Sequence, residues 1–414
     1  VDLQKSRTES PLLSIVIATK NRVPYAISAI DSILAIDSPA LELVIQDNSD
    51  TLDLSRHVEQ RAFDPRLKYR YTPPPLSSIG NFNLALELAT GEYVCLIGDD
   101  DGVNPEVLEA AAWAKSQRID SLGGNCKVHY LWGGTGAPST MFTKVSGEVL
   151  TISEFSGKIV MVDIEKELQK LVRNGGVYYL DFQLPKLYHG LVRRACLEEI
   201  RRRTGEYLGG LSPDIYAALS IACIAKRVAV TDYPLTIPGA CGASTSVTEG
   251  AIRTHSKKLE DAPHFRSRGN YRWSEIVPRV YSVETIWADS GIAALTAMGR
   301  IDLVDKLNLA RLAAFCIYRN KGVARMVMQG LIAGARARRQ SLLITAVAFA
   351  WNFLLGPGTS FVKRVWNRLM LMFGRRTIDR ISGVRNMVET TSTLMAYLKQ
   401  RGASFKKARE AFGD

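Results

Sequence analysis

The chain has 414 residues, and several of the signals that classify a protein quickly are absent from it. Its six cysteines, Cys95, Cys126, Cys196, Cys223, Cys241 and Cys316, are scattered, and no pair has metal-knuckle or redox spacing. They read as small buried hydrophobes in a reducing compartment. The stretch Val1 to Ser10 is polar and does not read as a signal peptide, so the catalytic part is expected in the cytoplasm. The apolar stretch Leu342 to Leu355, broken by Thr345 and Asn352, is shorter than the ~20 residues of a spanning helix. It reads as a buried or interfacial helix. Acidic residues are scarce at the C-terminal end, where residues 320–414 hold 17 Lys/Arg against 4 Asp/Glu. The formal net charge of +12 belongs to that end, and the rest is close to neutral.

What is present is an alternation of strands and helices. Leu13 to Ala18 is a β-branched apolar run ending at the polar loop Thr19-Lys20-Asn21-Arg22. Strands are expected at Leu41 to Ile45, Leu67 to Tyr71 and Tyr93 to Ile97, with helices at Ala26 to Ile36, Asn81 to Ala89 and from Pro105 to Gln117. This order predicts βαβ units and a mostly parallel sheet. Ligands of such sheets bind outside the carboxyl ends of the strands. The strand ends after Ala18, Ile45 and Ile97 therefore point to one crevice. The stretch 121–180 is less regular. A strand at Leu187 to Val192, a helix from Pro213 and a strand at Val228 to Thr231 follow, then a loop over 238–270 and helices from 275 onward.

The strand Tyr93 to Ile97 ends at Gly98 and the triplet Asp99-Asp100-Asp101. Asp99 and Asp101 are spaced i, i+2 on a turn fixed by a buried strand. Carboxylates so placed suit Mg²⁺ or Mn²⁺, which prefer oxygen ligands and can neutralise a departing diphosphate. The alternative is a solvated acidic turn.

Residues Leu13 to Arg22, Leu43 to Ser49 and Asn81 through Pro105 resemble, in order and separation, the N-terminal half of a family 2 glycosyltransferase of the GT-A fold. The resemblance covers residues 11–115 well and 185–245 more loosely. It implies an inverting transfer of a sugar from a nucleotide-sugar donor, usually a UDP-sugar, to a hydroxyl of a glycan or lipid-linked acceptor. It places Thr19, Asn21 and Arg22 near the nucleotide and Asp47 on the nucleobase. It puts Asn81 and Asn83 in the segment facing the donor, with Phe82 where the family often has arginine. Asp99 would approach ribose and metal, Asp101 would be the main metal ligand, and Asp100 would be a spacer beside the donor.

An inverting displacement needs a carboxylate to take the acceptor proton. In Gly209-Gly210-Leu211-Ser212-Pro213-Asp214 the resemblance assigns that role to Asp214, without the glutamate that often precedes it. The alternative is a helix-capping aspartate. His189 is a candidate for the donor diphosphate or the acceptor, or a packed structural histidine. His255 is a candidate metal ligand on the 238–270 loop, which Ser244 and Thr245 would help to close.

Three regions are expected: a GT-A domain over 1–250, a helical region over 251–335, and a basic amphipathic tail over 336–414. Phe361, Val362, Val365, Trp366, Leu369, Met370 and Phe373 can share a helix face opposite Lys363, Arg364 and Arg368, the form expected at a membrane surface. That pattern also fits a core-packing helix. The enzyme is accordingly expected at the inner face of the membrane, with no nucleic-acid partner. Two other readings compete. A nucleotidyltransferase would usually carry a glycine-rich phosphate loop after the first strand, and Thr19-Lys20-Asn21-Arg22 has no glycine. A non-catalytic lipid- or nucleic-acid-binding module would not need Asp101 and Asp214.

Overall fold

A computed structural model describes residues 10–60, 64–134, 147–242, 259, 271–355 and 378–413. Fourteen strands follow in chain order: β1 (Leu13–Thr19), β2 (Leu41–Asp47), β3 (Leu67–Tyr71), β4 (Tyr93–Ile97), β5 (Gly102–Val103), β6 (Ser121–Gly124), β7 (Val128–Leu131), β8 (Val149–Ser153), β9 (Ile159–Met161), β10 (Gly190–Arg193), β11 (Val228–Thr231), β12 (Thr236–Ile237), β13 (Gly239–Ala240) and β14 (Ile378–Ser382). Eight of them form the central sheet, in the order β3-β2-β1-β4-β10-β6-β11-β9. Only β10 and β9 run against the rest. This mostly parallel sheet covered by helices is the α/β architecture expected from the sequence.

The sheet is buried on both faces, which is why its central strands read as unbroken apolar runs. Along β1, Leu13, Ile15 and Ile17 enter one core while Val16 enters the other. The helix Val23–Leu34 opens with a proline in its first turn and buries Ala26, Ala29, Ile30 and Ile33, one helical stripe, against the first of these cores. Each fully buried Ile or Leu contributes roughly 1.5–3 kcal/mol. A third core joins the helices Ile164–Arg173, Pro213–Ala222, Val283–Ala297, Leu309–Arg319 and Ala324–Ala337 through residues such as Leu168, Ile215, Ile292, Phe315 and Leu331.

Two regions depart from the expectation. The stretch 121–180, read as irregular, supplies β6 and β9 to the central sheet and β7 and β8 to a smaller sheet of order β13-β7-β8-β14. Residues 378–413, grouped by charge with the tail, pack back onto the half that holds the central strands. β14 pairs antiparallel with β8, and Met387, Leu394, Leu398 and Phe405 are buried in the core that holds β1 and β4. The correction has a simple cause. The basic residues of this segment lie on its outer face, and the apolar ones that decide its position are too widely spaced to show as a run. The helix expected over 361–373 lies outside the described residues, as do His255, Ser244 and Thr245.

Candidate functional site

β1 and β4 are parallel neighbours, with Ile17 opposite Ile97, so Thr19 and the acidic triplet leave the sheet side by side. The Thr19 hydroxyl donates to Asp99 Oδ2 at 2.6 Å. Arg22 donates to Asp99 Oδ1 at 2.9 Å and lies 3.6 Å from Asp100 Oδ1. Burial raises the Asp99 pKa to about 6 and outweighs the pull of Arg22 on it. Burial acts against the charge on Arg22 too, yet the Asp99 carboxylate overcomes it and holds that guanidinium above its ordinary value.

The other two aspartates are tied into the fold. The Asp100 carbonyl accepts from Trp132 Nε1 at 2.8 Å, and its Oδ2 accepts from the Cys241 amide at 3.2 Å. Asp101 Oδ1 accepts from the Gly239 amide at 2.6 Å. Its Oδ2 accepts from the Gly98 amide at 2.6 Å and the Tyr188 hydroxyl at 3.1 Å, and lies 3.2 Å from His189 Nε2. Burial would raise Asp101, but His189 and these amides hold it below the usual carboxylate range. Gly98 is required here, because a Cβ would sit 2.6 Å from the Tyr188 hydroxyl and 2.9 Å from Asp101 Oδ2.

His189 is nine-tenths buried and has φ +61°, a left-handed backbone that few side chains adopt. Its amide donates to the Leu96 carbonyl at 3.0 Å, which pins the ring beside β4. Among the described residues its Nδ1 has no hydrogen-bond partner, and the same holds for the side-chain oxygens of Asn48 and Asn81. All three residues line one cleft of about 1780 Å³. Unmet buried polar atoms on a cleft wall are suited to a polar ligand.

Asp214 lines the same cleft. Gly210, at φ +67°, makes the turn before it, and the Ser290 hydroxyl accepts from the Leu211 and Ser212 amides at 3.0 and 2.9 Å. Pro213 then starts the helix Pro213–Ala222, which leaves the Asp214 carboxylate in its first turn. The charge of Asp214 bears on the hydroxyls of Tyr179 and Tyr188, whose pKa values burial pushes well up.

The cleft thus gathers Thr19, Asn21, Arg22, Asn81, Asp99, Asp100, Asp101, His189 and Asp214. It does not gather every expected residue. Asp47 is fully buried behind it, accepting from the Ser49 amide and the Tyr69 hydroxyl at 2.8 Å each, while Asn48 takes the wall position. Asn83 points away. Its amide donates to the Leu208 carbonyl and accepts from the Tyr207 and Leu208 amides, all at 2.9 Å. Asn83→Ala is therefore expected to cost roughly 2–3 kcal/mol, three lost hydrogen bonds at about 1 kcal/mol each, with no specific loss of donor affinity. Thermal unfolding and a donor titration of this variant check both halves.

Several site residues were not foreseen. Asn48, Trp132, Tyr188, Gly239 and Ser290 hold or line the acidic loop and the Asp214 turn. Of these, Asn48 carried a sequence signal, since it directly follows Asp47 at the polar end of β2.

The cleft lies at the carboxyl ends of parallel strands, the place where open α/β sheets bind their ligands. Residues 14–145 match the family model described as "Glycosyl transferase family 2". WcaA of Escherichia coli (strain K12), named for glycosyl transfer in colanic acid biosynthesis, is 35% identical over 112 residues, covering 27% of this chain and 40% of the relative. The GalNAc(5)-diNAcBac-PP-undecaprenol beta-1,3-glucosyltransferase of Campylobacter jejuni is 30% identical over 123 residues, covering 28% and 39%. The chain thus matches about two fifths of the length of these curated relatives. S. aureus TarS 1–349, solved with UDP-GlcNAc, overlays with a TM-score of 0.43 at 19% identity, covering 80% of this chain and 93% of TarS 1–349.

Proposed function

We propose that the cleft transfers a glycosyl group from a nucleotide-sugar donor, a UDP-sugar by the family resemblance, to a hydroxyl of a glycan or lipid-linked acceptor, with inversion at the anomeric carbon. The observation that carries this is the meeting, across one cleft, of an acidic donor loop from the family 2 segment and Asp214 from a separate helix. The Campylobacter relative's name specifies a lipid-linked acceptor, which supports that class.

In this reading Arg22, fixed between Asp99 and Asp100, and the Lys20 and Asn21 loop face the donor phosphates. Asn48 and Asn81 offer their unmet oxygens to the nucleoside. Asp214 accepts the acceptor proton while the hydroxyl oxygen forms its bond to the anomeric carbon and the nucleoside diphosphate departs. The Asp214 carboxylate stands in the first turn of its helix, where the helix dipole favours a negative charge.

A hard divalent cation such as Mn²⁺ or Mg²⁺ takes carboxylate oxygens, and the cleft wall offers two such side chains, Asp99 and Asp101. Asp99 and Asp101 would hold it. When bound, such an ion offsets the charge of the departing diphosphate. Among the described residues no three such side chains converge, so the ion would draw its remaining ligands from donor and solvent. A hydrolysis screen of nucleotide sugars, with Mn²⁺ and with chelator, tests this function. Slow, metal-dependent turnover of at least one donor is expected. Turnover of none, under either condition, would contradict it.

A further inference from the structure

Residues 342–355 form a helix whose two faces are the reverse of those of an ordinary surface helix. Thr345, Ala348, Phe349 and Asn352, spaced i, i+3, i+4, i+7, are its less exposed side, and Phe349 packs against the helical core. The outward side carries Leu343, Ile344, Val347, Trp351, Leu354 and Leu355. Their exposures run from 49% to 76%, so among the described residues they form a continuous exposed apolar stripe. Isolated exposed hydrophobics are ordinary, but six on one helix face are not.

The surrounding charge says what covers it. Residues 340–362 contain no charged side chain, and they are bracketed by Arg336, Arg338 and Arg339 on one side and Lys363 and Arg364 on the other. Between Asp305 and Asp379 there are 13 Lys/Arg and no Asp or Glu. Arg325, Arg336 and Arg339 are exposed and, among the described residues, make no ion pair. Arg338 instead fastens the base of the helix, donating to the carbonyls of Leu307 and Val304 at 2.7 Å each. An uncharged apolar face next to Arg336 and Arg339, which make no ion pair among the described residues, is complementary to a surface that is apolar within and anionic at its rim. At about 21 Å the helix is too short to cross a ~30 Å hydrocarbon layer, and among the described residues no helix is long and apolar enough to do so.

We infer that the helix 342–355 is an in-plane anchor, which inserts Leu343, Ile344, Val347, Trp351, Leu354 and Leu355 into an anionic lipid bilayer while the flanking arginines meet the headgroups. This deepens the reading of a lipid-linked acceptor, because the anchor would hold the cleft at the surface from which such an acceptor projects. The binding itself does not depend on that reading.

The test is flotation of the full chain with phosphatidylcholine vesicles, with and without phosphatidylglycerol, in the absence of donor and acceptor. The wild type is expected to float with the anionic vesicles, more weakly with neutral ones, and more weakly at high salt. The double variant Leu343→Glu/Leu354→Glu is expected to bind anionic vesicles roughly a hundredfold more weakly. Its melting temperature and its donor hydrolysis in lipid-free solution should match the wild type, because both side chains are exposed and lie outside the cleft. Equal flotation of variant and wild type, or no flotation of the wild type, would overturn the assignment. So would a lipid-free dimer that the double variant dissolves, since a second copy would then be the occupant. Loss of vesicle binding with hydrolysis intact separates this inference from the catalytic reading.

Discussion

Replacing Asp214 by Asn is expected to lower glycosyl transfer by roughly 100- to 10,000-fold, the range for removal of a positioned general base, while donor affinity stays near that of the wild type. The substitution keeps the shape of the side chain. It also keeps what sets its position: the Gly210 turn, the Ser290 hydroxyl beneath the Leu211 and Ser212 amides, and Pro213 at the helix start. The negative charge and the proton acceptor are lost. If Asp214 merely favoured the helix dipole, the variant would lose on the order of 0.5 kcal/mol of stability and no rate. A rate assay with saturating acceptor, beside a donor titration and a melting curve, separates the two roles. An unchanged rate would place the base elsewhere.

Asp101→Asn is expected to reduce donor turnover by roughly 100- to 1000-fold, comparable to loss of one preorganised electrostatic contact. Asp101 is almost wholly buried, and its charge is stabilised by His189 and by the Gly98 and Gly239 amides. A neutral amide there offers a cation no carboxylate and keeps only one acceptor oxygen for the Gly98, Gly239 and Tyr188 donors. Asn is preferred to Ala because Ala would strand the Gly98, Gly239 and Tyr188 donors at about 1–3 kcal/mol each and confuse a catalytic defect with unfolding. The measurement is hydrolysis across a Mn²⁺ titration, with circular dichroism to confirm the fold. Full activity with an unchanged metal response would remove Asp101 from the site.

The two variants act on sites of unequal legibility. The donor half was readable because buried parallel strands announce themselves. The runs at Leu67 to Tyr71 and Tyr93 to Ile97 coincide with β3 and β4, and the polar residues after them mark the crevice. The details of contact were less readable. Asp47 and Asn48 are adjacent, and only the backbone turn decides that Asn48 reaches the cleft while Asp47 binds the Ser49 amide. Asn81 and Asn83 are two apart on one helix, so they cannot share a face, and only Asn81 lines the cleft.

The second half was harder for a physical reason. β6, β7, β8 and β9 are three to five residues long, below the length at which periodicity can be distinguished from chance, and they are held by partners distant in sequence. The return of residues 378–413 to the core depends on contacts with no local trace, such as the Tyr130 hydroxyl donating to the Val384 carbonyl at 2.6 Å. That return also governs experiment. Deleting everything beyond residue 341 would strip Met387, Leu394 and Phe405 from the core behind the acidic loop, so substitutions on the helix 342–355 are the cleaner probe of the membrane.

The central claim is that the acidic loop and the cleft above it receive a nucleotide sugar. Calorimetric titration of nucleotide sugars into the full chain, with Mn²⁺ present, tests it most directly. Saturable binding of at least one, in competition with its free nucleoside diphosphate and lost in Asp101→Asn, is the predicted result. Absence of binding by every nucleotide sugar to a folded chain, or binding that Asp101→Asn leaves unaltered, would contradict it.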